Sequence, residues 1–105
     1  MAWVYLVVAG LFEIAWAVGL KYTDGFTRIV PTAFTIGAMV TSVVLLGIAL
    51  RELPVGTGYA VWTGIGTVGT AVLGMILFAE PATGFRLASI GLIVAGIVGL
   101  KLVTP

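Results

Sequence analysis

The stretch AWVYLVVAGLFEIAWAVGL, residues 2–20, decides the fold of this chain, and it contains a single charged side chain, Glu13. Nineteen residues of α-helix rise about 28 Å, which is enough to cross the hydrocarbon core of a bilayer. Glu13 would lie roughly 16 Å along this helix, near the membrane midplane. The stretch therefore predicts a membrane-spanning helix with a carboxyl group at its centre.

A carboxylate at the midplane is costly unless it is paired, hydrated or protonated. Ionisable groups within membranes therefore usually bind a ligand or carry protons, and this is the interpretation that we favour for Glu13. The alternative is a protonated Glu13 that is hydrogen-bonded inside a helix bundle and has no further role.

The composition of the whole chain is typical of a membrane protein. Its 105 residues are 61% hydrophobic and 9% charged, and the mean hydropathy is +1.26. The sequence has no cysteine and no histidine, so it lacks the usual metal ligands and proton shuttle, and no metal or other cofactor is expected. A net charge of +1 provides no basic patch for nucleic acid. No nucleophile–base pair or phosphate-binding loop is recognisable, so we do not expect an enzyme.

Two further uncharged runs, and a fourth apolar run whose only charges, Arg86 and Lys101, lie near its ends, predict three more membrane spans. The sequence thus predicts an all-α membrane protein, a single domain over residues 1–105 with four transmembrane helices at about 2–20, 29–50, 54–79 and 85–103. Short charged segments such as KYTDGFTR, residues 21–28, form the loops. The first stretch lacks a basic n-region and a cleavage site, so we interpret it as a retained span. The expected location is the inner (plasma) membrane, with several passes.

The charges of the loops are balanced between the two sides of the membrane. With four spans, both termini lie on one side, together with Arg51 and Lys101, whereas Lys21, Arg28 and Arg86 lie on the other side. The positive-inside rule then has almost no bias to act on, so the chain could insert in both orientations.

Small residues mark two of the predicted helices. The third span is rich in glycine, which indicates either a bend, for which Gly64-Ile65-Gly66 is the candidate, or close backbone contact. Gly66, Thr70 and Gly74 form a stripe of small residues on this span, and Gly91, Ala95 and Gly99 form one on the fourth. Each stripe could pack within the chain, but for the fourth helix we favour contact with a second chain, because a water-accessible cavity around Glu13 is easier to build from two chains.

Polar and aromatic residues at helical spacing could surround Glu13. Gly10 and Trp16 lie three residues before and after it, on the same face. The Trp16 indole N–H needs an acceptor, for which the Glu13 carboxylate is the nearest candidate, although apolar packing is the alternative.

The second and third spans supply three more candidates. Tyr59 and Trp62 share one face of the third span, where they could also form a deep aromatic belt. Ser42 could donate to Glu13 or to the carbonyl four residues earlier. A carboxylate together with aromatic faces can bind a cation, and a binding carboxylate that titrates is the minimum needed to exchange a proton for that cation.

Several stretches resemble the small multidrug resistance family over essentially the whole length of the chain. They are GLFEIAW (residues 10–16), KYTDGFTR (21–28) followed by Pro31, LPVGTGYAVWTGIG (53–66) and the small-residue fourth helix. Within that family, the sequence is similar to the guanidinium exporter subtype at the residues Trp16, Met39, Ser42, Glu80, Pro81 and Lys101.

The resemblance implies an antiparallel homodimer of oppositely inserted chains that exchanges protons for guanidinium or another small organic cation by alternating access. It implies that Glu13 binds both proton and substrate, that Trp16 and Ser42 orient its carboxylate, and that the fourth helices hold the dimer. In the same resemblance Tyr59 and Trp62 line the site and Gly10 allows access.

Two other functions stay open at this point. One is a broad quaternary-ammonium or multidrug cation exporter of the same family. The other is an accessory structural subunit of a membrane complex, although such a subunit would not need an acid at the midplane.

Overall fold

The computed structural model, which describes residues 1–104, consists of four α-helices joined by short loops. They are α1 (Ala2–Tyr22), α2 (Ile29–Ala49), α3 (Val55–Leu77) and α4 (Gly84–Val103). All four are long and apolar enough to cross a membrane, and residues 1–104 contain no strand. The predicted class, an all-α membrane protein with four transmembrane helices, is therefore confirmed, with helix ends that lie within two residues of those expected.

Local sequence signals explain where the helices end and begin. Thr23 stops α1, because its hydroxyl donates to the Leu20 carbonyl (2.8 Å) and accepts from the Phe26 N–H (3.2 Å). The turn continues through Gly25, whose φ of +70° suits glycine. At the start of α4, the hydroxyl of Thr83 accepts from the Arg86 N–H at 3.2 Å and so caps the helix.

The four helices form a flat layer instead of a closed bundle. Helix α1 packs against both α2 and α3, and α4 packs against α3, which gives the spatial order α2, α1, α3, α4. The Cα trace measures 43 × 35 × 16 Å. Four helices packed two by two would be roughly 20 Å wide in both directions across their axes. One chain therefore leaves both faces of the layer largely uncovered.

The buried core lies near the amino-terminal end of α1. It contains Leu6 and Ala9 of α1, Leu46 of α2, and Val61 and Trp62 of α3. In contrast, α4 has no buried residue along its described length. Its chain-to-chain role therefore stays a prediction.

The glycines of α3 allow close contact between helices. The helix is continuous from Val55 to Leu77, so Gly64-Ile65-Gly66 does not interrupt it. A Cβ at Gly64 would lie 2.8 Å from the Ile97 side chain of α4, and one at Gly66 would overlap Glu13 of α1. Of the two interpretations of this glycine-rich segment, the structure supports close contact.

Candidate functional site

Glu13 lies on the face of α1 that meets α3. Its carboxyl group fills the space that a side chain at position 66 would occupy, so only glycine fits there in the present arrangement. The Oε1 atom is buried and has no hydrogen-bond partner within residues 1–104. A buried acceptor without a partner is costly, so this oxygen is suited to receive a proton, water or a ligand that donates.

A groove of about 700 Å³ extends from Glu13 between α1 and α3. It follows the carboxyl-terminal half of α1 toward the end of the molecule where the α1–α2 and α3–α4 loops lie. Its walls are built mainly from small residues of the two helices, since α3 supplies Gly66, Thr70, Ala71 and Gly74 and α1 supplies Ala17. The stripe of small residues on α3 therefore leaves open space beside the acid instead of closing the helix contact.

Charged and aromatic side chains surround the mouth of this groove. Lys21, Phe78 and Glu80 line it there. The Lys21 ammonium lies 5.7 Å from the centre of the Phe78 ring, within the range of a cation–π contact. The groove thus connects the acid near the centre of the span to the aqueous interface.

The structure corrects the expected partner of Ser42. Its hydroxyl donates to the Ala9 carbonyl at 2.6 Å and accepts from the Trp62 indole N–H at 2.9 Å. It bonds neither to Glu13 nor to the carbonyl four residues earlier; the neighbouring Thr41 makes that local bond, to Gly37, at 2.8 Å. Ser42 is completely buried, so it joins α1, α2 and α3 at one point.

This three-helix contact still bears on Glu13, through the backbone. In an α-helix the N–H of residue i donates to the carbonyl of residue i−4, so the Ala9 carbonyl also accepts from the Glu13 N–H. Ser42 and Trp62 therefore fix the turn of α1 that carries the acid. From the sequence, a direct bond to the carboxylate was one of two alternatives for the Ser42 hydroxyl.

The predicted hydrogen bond from Trp16 to Glu13 is likewise not formed. The Trp16 Nε1 atom is buried and has no acceptor within residues 1–104. One face of α1 consequently carries an unpaired donor at Trp16 and an unpaired acceptor at Glu13. Of these two residues, Glu13 lines the groove and Trp16 does not.

The other three predicted site residues lie away from the groove of this chain. Tyr59 is exposed, and its ring centre lies 5.6 Å from that of Trp62, which is itself buried against Ser42. Gly10 is buried where α1 meets α3, because a Cβ there would lie only 2.6 Å from the Ile65 side chain. Their roles in access and in lining the site stay predictions.

Sequence reasoning did not predict that Glu80 and the small residues of α3 line the groove. The spacing of Gly66, Thr70 and Gly74 placed these residues on one face, but nothing in the sequence aligned that face with Glu13. Chemically, the groove offers carboxylates and an aromatic ring, and no group of potential metal ligands was found among residues 1–104. This arrangement can bind a cation and release or take up a proton.

Four apolar helices and an acid in a groove that reaches the interface define a small integral membrane protein with a candidate cation-binding site. The family described as Small Multidrug Resistance protein matches residues 1–93. The chain is 60% identical over 104 residues to the proteins named "Guanidinium exporter" from Citrobacter freundii and Salmonella typhimurium, and 59% identical to that of Escherichia coli strain K12, in each case over 99% of both chains. The chain therefore belongs to the small multidrug resistance family.

Membership in this family agrees with three of the expectations from the sequence. The resemblance itself is confirmed, and these relatives are named as exporters, not as enzymes. Together with four helices that can each span a bilayer, they identify the chain as a multi-pass protein of the inner membrane.

Proposed function

We propose that this protein exports guanidinium and small guanidinyl cations in exchange for protons, with Glu13 as the group that binds both. The observation that carries the proposal is the Glu13 carboxyl group, whose oxygen is buried without a partner at the inner end of the groove. Relatives about 60% identical that carry the name guanidinium exporter support the choice of substrate.

The chemistry of Glu13 suits an exchange reaction. Guanidinium is a planar cation whose N–H donors match the oxygens of a carboxylate. A proton on the same carboxyl group removes its charge and occupies one acceptor position, so proton and cation compete for one site. Exchange then needs no metal or organic cofactor; the proton is the coupling ion.

An antiparallel homodimer is part of the proposal, because one chain provides only half of an enclosed site. A volume of 700 Å³ corresponds to about twenty water molecules at roughly 30 Å³ each, far more than a small cation needs. A second copy laid across the flat layer would reduce this space and cover α4, which has no buried residue of its own in the described chain. The balanced loop charges favour opposite insertion of the two copies.

Transport by the purified protein in liposomes tests the function. We expect a guanidinium gradient to drive protons across the liposome membrane, and Glu13→Gln, which keeps the shape but cannot titrate, to abolish this proton flux. Glu52→Gln is the matched control, because Glu52 lies in the α2–α3 loop and does not line the groove. Coupled transport by Glu13→Gln would refute the role of Glu13.

The same recordings decide between this proposal and the two alternative functions. Proton fluxes of similar size with tetraalkylammonium and guanidinium would indicate a broad cation exporter. An absence of cation-driven proton flux with both cations would favour an accessory subunit.

Topology can be tested separately from substrate. Two lysines added at the carboxyl terminus should bias insertion toward one orientation. Activity should then fall, and it should return when a copy with the opposite bias is co-expressed. Full activity of a single biased copy would contradict the antiparallel arrangement.

A further inference from the structure

Glu80 is held at the mouth of the groove by the way α3 ends. Ala79 adopts a left-handed conformation with φ of +54°, and the Glu80 N–H donates to the Gly74 carbonyl at 3.3 Å. The chain therefore folds back, and the Glu80 carboxyl group lies against Gly74, where a Cβ would be 2.9 Å from its Cδ atom. Glu80 and Glu13 consequently line the same groove, at its outer and inner ends.

The group bound to Glu80 in this structure is itself a guanidinium. A terminal nitrogen of Arg86 donates to Glu80 Oε1 at 3.2 Å, while the Arg86 Nε atom is buried and has no partner within residues 1–104. The contact uses one of several donors, and both side chains are partly exposed, at 39% for Arg86 and 46% for Glu80. The Glu80 carboxylate thus binds a guanidinium group, the kind of cation proposed as substrate. Because this ion pair is partly exposed, an incoming cation can reach it.

An aromatic ring lines the same mouth of the groove as this carboxylate. Phe78 also lines the mouth of the groove, and the Lys21 ammonium lies 5.7 Å from the centre of its ring. The ring is further positioned by Tyr22, whose ring centre lies 5.6 Å away. Each of the two groups at the mouth that can hold a cation is therefore occupied by a side chain of the protein itself. Arg86 occupies the Glu80 carboxylate, and Lys21 occupies the Phe78 ring.

We propose that Glu80 and Phe78 form an outer guanidinium site. In the resting protein Arg86 occupies its carboxylate and Lys21 its ring, and substrate enters by displacing them on its way to or from Glu13. This inference rests on guanidinium being the substrate. It assigns Glu80 the role of a second substrate ligand and Arg86 the role of a competitor within the chain.

The exposure of the Glu80–Arg86 pair makes this exchange feasible. An ion pair in contact with water contributes little free energy, so its replacement by an equivalent pair with substrate is nearly neutral. A weak outer site also suits transport, because a cation held tightly at the mouth would not move on to the inner carboxylate.

The test compares two variants that break the same ion pair. Glu80→Gln removes the outer site, and Arg86→Gln removes its competitor. We expect KM for guanidinium to rise about two- to fivefold in Glu80→Gln and to fall by a similar factor in Arg86→Gln, as the strength of an exposed ion pair implies. If the pair only stabilised the loop, both variants would change KM in the same direction, and the proposal would be wrong.

A general effect of charge on the local cation concentration needs its own control. Asp24→Asn and Arg28→Gln make the same charge changes in the α1–α2 loop, at the same end of the molecule, but neither residue lines the groove. We expect KM to stay unchanged in both. Shifts equal to those at positions 80 and 86 would show that charge alone acts and would overturn the proposal.

Direct binding separates the outer site from the inner one. In Glu13→Gln protein, guanidinium chloride should still shift the NMR signals of Gly74 and Phe78, and the added Glu80→Gln substitution should remove these shifts. If the wild-type protein transports guanidinium but Glu13→Gln shows no such shifts, the outer site is refuted while the proposed function stands. If the wild type transports no guanidinium, the proposed function itself fails.

Discussion

The two halves of the contact between α1 and α3 are built from the same pair of helices but have opposite properties. The closed half contains Leu6 and Ala9 of α1 with Val61 and Trp62 of α3, and Ser42 completes its hydrogen bonds. The open half is lined by Glu13, Ala17, Gly66, Thr70 and Gly74. Two buried polar atoms of this half, the Oε1 atom of Glu13 and the hydroxyl of Thr70, have no hydrogen-bond partner in the described chain.

The difference lies in the size of the side chains on α3. Val61 and Trp62 fill the closed half, whereas glycine, threonine and alanine line the open half. Charge on α3 does not distinguish the two, since both sets of side chains belong to one uncharged span. The comparison shows that one helix pair can provide stability at one end and a binding groove at the other.

Filling the open half should have the largest effect on function. A methyl group at position 66 would overlap the Glu13 carboxyl group, so Gly66→Ala should displace it. Because small displacements of a reacting group are costly, we expect guanidinium transport to fall about tenfold to a hundredfold. Guanidinium-driven proton flux in liposomes, compared between Gly66→Ala and the wild type, measures this loss of transport.

Gly47→Ala is the matched control for this substitution. A Cβ at Gly47 in α2 meets no atom within 4 Å, and both changes bring the same gain in helix propensity. Transport by Gly47→Ala should therefore equal that of the wild type. Normal transport by Gly66→Ala would mean that Glu13 does not depend on the space at Gly66.

The open and closed halves also show how much the sequence could predict. Four long apolar runs separated by charged loops specified four helices, and the first run also specified the position of Glu13. The Ser42 contacts could not be predicted, because each joins two residues that are far apart in the sequence, by 33 positions for Ala9 and by 20 for Trp62. They depend on how three helices cross. The pattern of small residues on α3 could be recognised in the sequence. That this pattern faces Glu13 could not, because it also depends on how the helices cross.

Removing the hydroxyl group of the closed half should reduce stability. Ser42→Ala leaves the buried Trp62 N–H without an acceptor, which should lower the free energy of unfolding by about 1–3 kcal/mol. Equilibrium unfolding in detergent micelles measures the change. Thr41→Ala is the control, because the exposed Thr41 hydroxyl bonds only within its own helix, and this change should stay within about 0.5 kcal/mol.

A double-mutant cycle shows whether the lost stability belongs to the contact between Ser42 and Trp62. Trp62→Phe combined with Ser42→Ala removes donor and acceptor together, so no N–H is left unpaired. The double variant should therefore be more stable than the sum of the single changes implies, by about 0.5–3 kcal/mol. Strict additivity would show that the two residues act independently.

The smallest change in stability is expected when a hydroxyl group is removed from the open half. Thr70 has a buried hydroxyl with no partner in residues 1–104, so Thr70→Val replaces an unpaired polar group by a methyl of similar size. The free energy of unfolding should change by less than about 0.5 kcal/mol, or rise, because nothing is left without a partner. Yet Thr70 lines the groove that leads to Glu13, and we expect its hydroxyl to bond to water or to the passing cation there. Its loss should therefore raise KM for guanidinium about two- to tenfold, as one hydrogen bond implies. A stability loss as large as that of Ser42→Ala would remove the distinction between the halves, because Thr70 would then be part of the packed core.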